Sequence, residues 1–528
     1  MNYCCIIKHS FSESLMPSKR TLCALTLIAV SGVCLFVYQY LSYGVNLHHF
    51  RSERTANTSS KLPQQKRDVV NVIEVHSRGN LTHRITAFNA FLTSFRLKHL
   101  QITENSAWQM PTLNQLSVVF GKEDDYLQQL YHHSSVTTVV LPWLVNSSFP
   151  STWSSLEDTS NVLIQKYYSW TADDRFCSWF NRSLNSTADK CNTDINDSSR
   201  PFSLQRKFHS SKRLNRSQYS LNGGYTYALS YIHIHRDAIV TKHGDIVSGN
   251  LELILHTCST DTKPSKSLGN NFEHIPLYNE LFVISQFWGT EYFHRMIEVL
   301  PRIVVYVDFL KANPQIRILV PEVRGRIVEL LQIIGLPKSR LVAGVSRAKI
   351  VYQPKSTPCG TPTVPESQLL SKLYRNYIER SLSPQPRNRL ILIRRSGSRR
   401  FTEQKEIENL MKGAASDFNL TYTLFIDNPP PSLSDTMRIF HSAVMIVAPL
   451  GAGEANMIFS QPGTYVIEGI CNPPYVILCF QRSAYVLGHH WHAIMSRRGC
   501  MGVVDVSAAS VDNAVHRYLR VWKLQHSS

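Results

Sequence analysis

Between residues 281 and 468, short apolar runs alternate with amphipathic stretches of helical length, and few folds accept that pattern. Strand-like runs stand at Leu281–Ser285, Arg317–Val320, Lys349–Tyr352, Arg389–Ile393, Thr421–Ile426, Val444–Val447 and Tyr465–Glu468. Helix-length stretches fill the gaps at Tyr292–Leu310, Arg324–Ile334, Gln368–Leu382, Glu403–Phe418 and Leu433–Ser442. Such alternation is the pattern of parallel sheets covered by helices. Two shorter runs, Ala238–Val240 and Leu251–Leu255, flank a turn at His243-Gly244-Asp245. Ser381-Leu-Ser-Pro-Gln-Pro386 interrupts the series near its middle. The predicted class is α/β, with two Rossmann-like domains, 225–385 and 386–528, facing one cleft. Ligands in such sheets bind beyond the carboxyl ends of the strands.

Three segments carry residues suited to chemistry at such a cleft. In Phe287–Arg302, His294 and Glu298 are four residues apart, so a helix presents both on one face. An imidazole beside a carboxylate is what deprotonation of a hydroxyl requires, although a packed His–Glu pair has the same spacing. In Arg389–Arg400 a strand ends in arginines around a Ser-Gly-Ser turn. Guanidinium forks bind phosphate oxygens, so Arg394, Arg395 and Arg400 are candidates to hold a diphosphate, and a solvated basic turn is the alternative. In Val444–Phe459 a strand runs into Gly451-Ala452-Gly453 and a helix start, which offers backbone amides to an anion. Asn456 lies in that helix, and Glu468 ends the next predicted strand, placed to accept from a ribose or sugar hydroxyl. Gly488-His-His-Trp-His492 invites a metal reading but has no matching carboxylate cluster, and no Asp-x-Asp motif is present.

Taken in order, these segments resemble glycosyltransferase family 61. The family pattern Tyr-Phe-His-Trp-Met-x-Glu-x-Leu-Pro-Arg stands here as Tyr292-Phe-His-Arg-Met-Ile-Glu-Val-Leu-Pro-Arg302, departing at Arg295. Arg-Arg-x-x-x-Asn-Glu-x-Glu appears as Arg399-Arg400 followed by Glu403, Gln404 and Glu406, with the Asn-Glu pair replaced. His-Gly-Ala-Gly-Leu-Thr-Asn appears as Leu450-Gly-Ala-Gly-Glu-Ala-Asn456, and its tail is kept at Pro462, Gly463 and Glu468. The similarity covers about residues 225–510. It implies a GT-B-like fold, a UDP-sugar donor and inversion at the anomeric carbon. It also implies no required cofactor, a divalent metal being unsupported. His294 and Glu298 take the catalytic roles. Arg394, Arg395, Arg400, Gly451, Ala452, Gly453, Asn456 and Glu468 hold the nucleotide sugar. Xylose is the first choice of sugar and GlcNAc the second, moved to a glycan or glycoprotein. The rival is an inactive lumenal pseudoenzyme that binds glycans or nucleotide sugars, suggested by the loss of histidine at Leu450.

A formal charge of +18 suits nucleic acid, an anionic membrane or phosphorylated donors equally, so topology has to choose. Thr21–Leu41 holds no charged residue and is long enough to span a bilayer as a helix. Lys19 and Arg20 precede it, which predicts a cytoplasmic tail, 1–20, and a signal anchor, 21–41. Acceptor sequons follow at Asn57, Asn80, Asn146, Asn181, Asn185, Asn196, Asn215 and Asn419. Anchor and sequons exclude a nucleic-acid protein and predict a single-pass type II protein of the Golgi membrane, with the ER membrane second. Residues 42–110 read as a stem, and 111–224 as a lumenal region of mixed pattern with no assigned role. Proximity suggests disulfides between Cys177 and Cys191 and between two of Cys471, Cys479 and Cys500.

Overall fold

The first half of the chain builds a sheet that is only partly parallel. The computed structural model describes residues 72–74, 81–100, 107–111, 117–120, 136–142, 169–183, 229–254, 272–357, 359–360, 362–472, 476–499 and 502–526. In chain order the strands begin with β1 (Val72–Glu74), β2 (Ser117–Phe120), β3 (Val136–Pro142), β4 (Ser169–Ala172) and β5 (Leu229–Val240). They continue with β6 (Ile246–Ser248), β7 (Leu251–Ile254), β8 (Leu277–Val283), β9 (Arg317–Leu319), β10 (Leu341–Val342) and β11 (Ser346–Pro354). The first sheet runs β10-β9-β8-β11-β5-β6-β7-β2, with β3 on β5 and β1 on β3. β8 to β11 pair in parallel. β5 is antiparallel to β11, β3 and β6. A Rossmann-like first half therefore holds only for β8–β11. The reason lies in β5: Ile232 and Ile234 join the core while His233 and His235 fall on the opposite face, the two-residue period of an antiparallel strand.

The second half is wholly parallel. Its strands are β12 (Arg389–Arg394), β13 (Arg400–Phe401), β14 (Thr421–Ile426), β15 (Ala443–Pro449), β16 (Tyr465–Ile470), β17 (His490–Met495) and β18 (Val503–Val504). The large sheet has the order β14-β12-β15-β16-β17-β4, and every pairing in it is parallel. β13 and β18 pair apart from it. Every residue of β15 and β16 is buried, as it must be when helices cover both faces. Those helices are Gln404–Asp417, Leu433–His441, Cys479–Leu487 and Ala508–His526. From β12 the chain moves to β14 on one side and then returns to β15 on the other. The strand order thus reverses between β12 and β15, which opens a crevice at their carboxyl ends.

Close packing on this sheet is readable at Gly469, where an added Cβ would lie 2.6 Å from the Phe401 ring and 3.0 Å from Val504. Gly469→Ala is expected to destabilise the fold by about 1–3 kcal/mol through overpacking. Urea denaturation checks this, and an unchanged midpoint would show that β13 and β18 yield freely.

Residues outside the two expected domains join both sheets. β3 and β4 come from the region left without a role, and β4 is an edge strand of the wholly parallel sheet. The helix Leu81–His99 falls inside the expected stem, yet Phe88 and Leu92 are buried in the core. Its Asn89 Nδ2 donates to Val305 O (2.8 Å) and its Oδ1 accepts from Phe309 N (3.0 Å). These are the donor and acceptor that an unbroken α-helix would pair with each other. Arg96 clamps Glu280 of β8 through two hydrogen bonds of 2.8 and 2.6 Å. Residues 81–99 therefore belong to the packed fold and not to a stem, because a side-chain amide and an ion pair dock a helix whose sequence has no strong apolar stripe.

The expected tail and anchor, 1–41, lie outside the described residues. Among the described residues no helix is long and apolar enough to cross a membrane. Of the sequons, Asn57, Asn80, Asn146, Asn185, Asn196 and Asn215 also lie outside them, and Asn181 sits in the helix Asp174–Ser183. Asn419 is exposed at φ 53° just past the helix Gln404–Asp417, a left-handed position that asparagine tolerates. Cys177, Cys359 and Cys471 are disulfide-bonded. Cys479 is buried and keeps its thiol, so it is not a partner for Cys471 or Cys500.

Candidate functional site

The crevice between β12 and β15 brings two of the three motifs together. β12 ends in Arg394 and β15 runs into Leu450 and Gly451. Arg395 Nη1 donates to Leu450 O at 3.3 Å. The guanidinium occupies the space over Gly451, where an added Cβ would lie 1.5 Å from Nη1. Gly451 is needed for this close approach, not for an unusual dihedral. The 3-10 helix Ala452–Phe459 then starts with Gly451 N donating to Glu454 Oε1 (3.0 Å) and Glu454 N donating to Gly451 O (3.0 Å). As at any helix start, the first amides have no intrahelical partner.

The other predicted phosphate ligands disperse. Arg394 is 40 % exposed and turns toward Glu408, 3.6 Å away. Arg400 is exposed on the separate β13–β18 ladder. Pairing with Glu408 and placement on a separate ladder split a run that the sequence presents as one cluster. Asp427, the residue after β14, faces Arg395, with Oδ2 3.8 Å from Nε. Its Oδ1 accepts from Ser396 N and Ser396 Oγ, both at 3.1 Å. Asp427 was absent from the expected set, although an acidic residue directly after a strand carries that signal.

The first motif forms one helical run, 292–312, with three pitches. Tyr292–His294 is α-helical, Arg295–Val299 is π-helical and Leu300–Tyr306 is 3-10 before an α-helix resumes. Pro301 has no N–H to give to the preceding turn, so the ladder shifts there. A π-turn of this kind often marks a working site. Across it, His294 Nδ1 lies 2.9 Å from Glu298 Oε1, and both residues are fully buried. Glu298 Oε1 also accepts from Gly360 N (2.7 Å), and Oε2 accepts from Gln286 Nε2 (2.6 Å). With both oxygens engaged, Glu298 orients the imidazole. Gln286 and Gly360 complete the arrangement, and neither carries a motif signal.

Contacts between the motifs tie the halves together. Tyr292 OH donates to Asn456 Oδ1 at 2.5 Å, and Asn456 Nδ2 donates to Gly453 O at 2.8 Å. Asn456 therefore holds the turn in place. Phe293 packs edge-on against Phe480 with centroids 5.0 Å apart. Arg295, at the family's tryptophan position, is buried and paired with Glu322. Glu468 lies inside β16, is fully buried and accepts from Trp491 Nε1 at 2.7 Å. Leu450 is 1 % exposed in the apolar core.

Placement also explains Arg302, the last residue of the first motif, and the histidine-rich segment. Arg302 is 3 % exposed and donates to the carbonyls of Ile284, Ser285, Pro354 and Lys355 at 3.0–3.1 Å. It thereby plugs the strand reversal between β8 and β11. The histidines of the Gly488–His492 segment diverge: His489 Nε2 meets Met457 O, His490 stacks on Tyr465, and His492 Nδ1 meets Thr171 Oγ1. Among the described residues no group of three His, Cys, Asp or Glu is arranged to hold a metal.

The family model described as Glycosyltransferase 61 matches residues 292–467, roughly a third of the chain and narrower than the resemblance over 225–510. The match opens at Tyr292 of the helical run and closes beside Glu468, so it contains the His294–Glu298 pair and the β12–β15 crevice. No curated protein matches the chain. Transferases of this family take a nucleotide-sugar donor and a glycan acceptor. Residues 292–467 are thus a glycosyltransferase family 61 segment, and the chain that carries it is a glycosyltransferase.

Proposed function

We propose that this chain moves a sugar, with inversion, from a UDP-sugar to a glycan or glycoprotein hydroxyl. The observation that carries this reading is Arg395 lying over Gly451 at the strand reversal between β12 and β15. A diphosphate in that crevice meets a guanidinium and a helix start, which oppose the charge that grows on the leaving group. The acceptor hydroxyl attacks the anomeric carbon opposite the departing diphosphate. His294 takes its proton while Glu298 accepts from Nδ1 and holds the tautomer. Arg394, Arg400, Ala452, Gly453, Asn456 and Glu468 stand behind this contact as position-setters or outer charge, according to their placement. No metal has a step in this scheme. Xylose remains the first choice of sugar and GlcNAc the second.

The secretory setting rests on the apolar segment Thr21–Leu41, the sequons and the disulfide-bonded cysteines, which form in oxidising compartments. A single-pass type II protein of the Golgi membrane fits these features, with the ER membrane as second choice. Detergent-solubilised full-length chain should be screened by thermal shift against UDP, GDP and CMP sugars, with Mn²⁺ or EDTA. At 100 times its dissociation constant, the donor should stabilise by roughly 2.7 kcal/mol. A shift confined to a UDP-sugar and insensitive to EDTA is the expected result. Binding with neither transfer nor hydrolysis would favour the pseudoenzyme reading, which Leu450 supports. No shift with any donor would remove the donor-site reading.

A further inference from the structure

The proposed donor site contains a buried carboxyl oxygen that nothing in the fold satisfies. Glu454 is fully buried, and while its Oε1 accepts from Gly451 N, its Oε2 has no hydrogen-bond partner. Buried polar groups in native proteins are paired with few exceptions, so such an atom needs a reason. Leucine stands at this position in the family pattern, and an aliphatic side chain there would leave no polar atom unsatisfied. The carboxyl is therefore a departure of this chain.

The guanidinium over the neighbouring Gly451 is held loosely. Arg395 makes one 3.3 Å hydrogen bond to Leu450 O, and its Nε has no partner. Its nearest carboxylate, Asp427, is 3.8 Å away. A phosphate oxygen is a better acceptor for a guanidinium than a carbonyl, so little opposes its turning outward. Resting on the donor site proposed above, we infer that Glu454 is a donor-contacting residue whose Oε2 hydrogen-bonds an oxygen of the nucleoside diphosphate once Arg395 leaves Gly451. Burial and the neighbouring Glu468 carboxylate hold the Glu454 carboxyl well above the usual carboxylate range, against the lowering pull of Arg395 and Arg399. The protonated form is thereby favoured, and Oε2–H is a donor. A carboxylic acid kept neutral by its surroundings serves an anion where a carboxylate would repel it.

The test is equilibrium binding of UDP and of uridine to the full-length chain. Glu454→Ala should weaken UDP by about 10- to 100-fold, the range for one hydrogen bond to a charged group, and leave uridine unchanged. Glu454→Gln keeps both an acceptor for Gly451 N and an N–H donor, and should stay within about 3-fold of the parent. Glu454→Met, of similar volume and with no donor, replaces the alanine variant if that one folds poorly. UDP bound equally by parent and alanine variant overturns the inference while the donor site stands. Equal losses for UDP and uridine overturn it as a general distortion of the turn. Failure of every form, parent included, to bind UDP overturns both the inference and the donor site.

Discussion

His294→Gln should lower sugar transfer by about 10²–10⁴ while the protein melts as the parent does and still binds UDP. The magnitude is that of a lost general base. The imidazole is positioned for the role by its partner: Glu298 takes Nδ1 at 2.9 Å and is itself held by Gln286 and Gly360. A carboxylate on Nδ1 favours a proton there and leaves the lone pair on Nε2. Glu298→Gln should therefore lose nearly as much, because an amide can donate to Nδ1 and favour the opposite tautomer. UDP affinity separates chemistry from binding, since Arg395 and Gly451 lie on other elements. Near-normal turnover in a folded His294→Gln protein would end the assignment and leave the pair as a packing feature of the π-turn.

Arg302→Leu should produce the largest loss of stability, at least about 3 kcal/mol, with little change in UDP affinity. Its guanidinium is the donor for four backbone carbonyls at the ends of β8 and β11. Each buried carbonyl left without a partner costs about 1–3 kcal/mol, so three unsatisfied groups of the four already reach the lower bound. Arg302→Lys should recover only part of this, because three donors on one nitrogen do not span two strand ends. Urea denaturation gives the stability, and UDP titration at low temperature gives the affinity. A variant that melts normally yet loses UDP would make Arg302 a ligand residue, contrary to its position in the β8–β11 crevice.

Much of the fold was legible because parallel strands covered on both faces must be continuous apolar runs. Thr421–Ile426 agrees with its expectation to the residue, and the strands around it differ by one or two at their ends. β17 and the helix Cys479–Leu487 went unrecognised, since His490, Trp491 and His492 disguise a buried strand and draw the eye toward metal chemistry. β5 gave only its last three residues, because histidines on its second face break the apolar run.

Amino-acid order alone determined where strand and helix alternate, and therefore that Arg395, Gly451 and the His294 motif fall at carboxyl ends of strands. That follows from local periodicity and turn chemistry, which need no partner. Tertiary structure alone decided which side chains converge. Arg395 meets Gly451 because β12 and β15 are neighbours at a strand reversal. Arg394 and Arg400, adjacent to it in the sequence or nearly so, turn away. Asn89 enters the 292–312 run across more than two hundred residues, and Glu454 Oε2 lacks a partner only because the turn after β15 is packed into the interior. Direction, burial and long-range pairing depend on the packed sheet, and no window of sequence contains them.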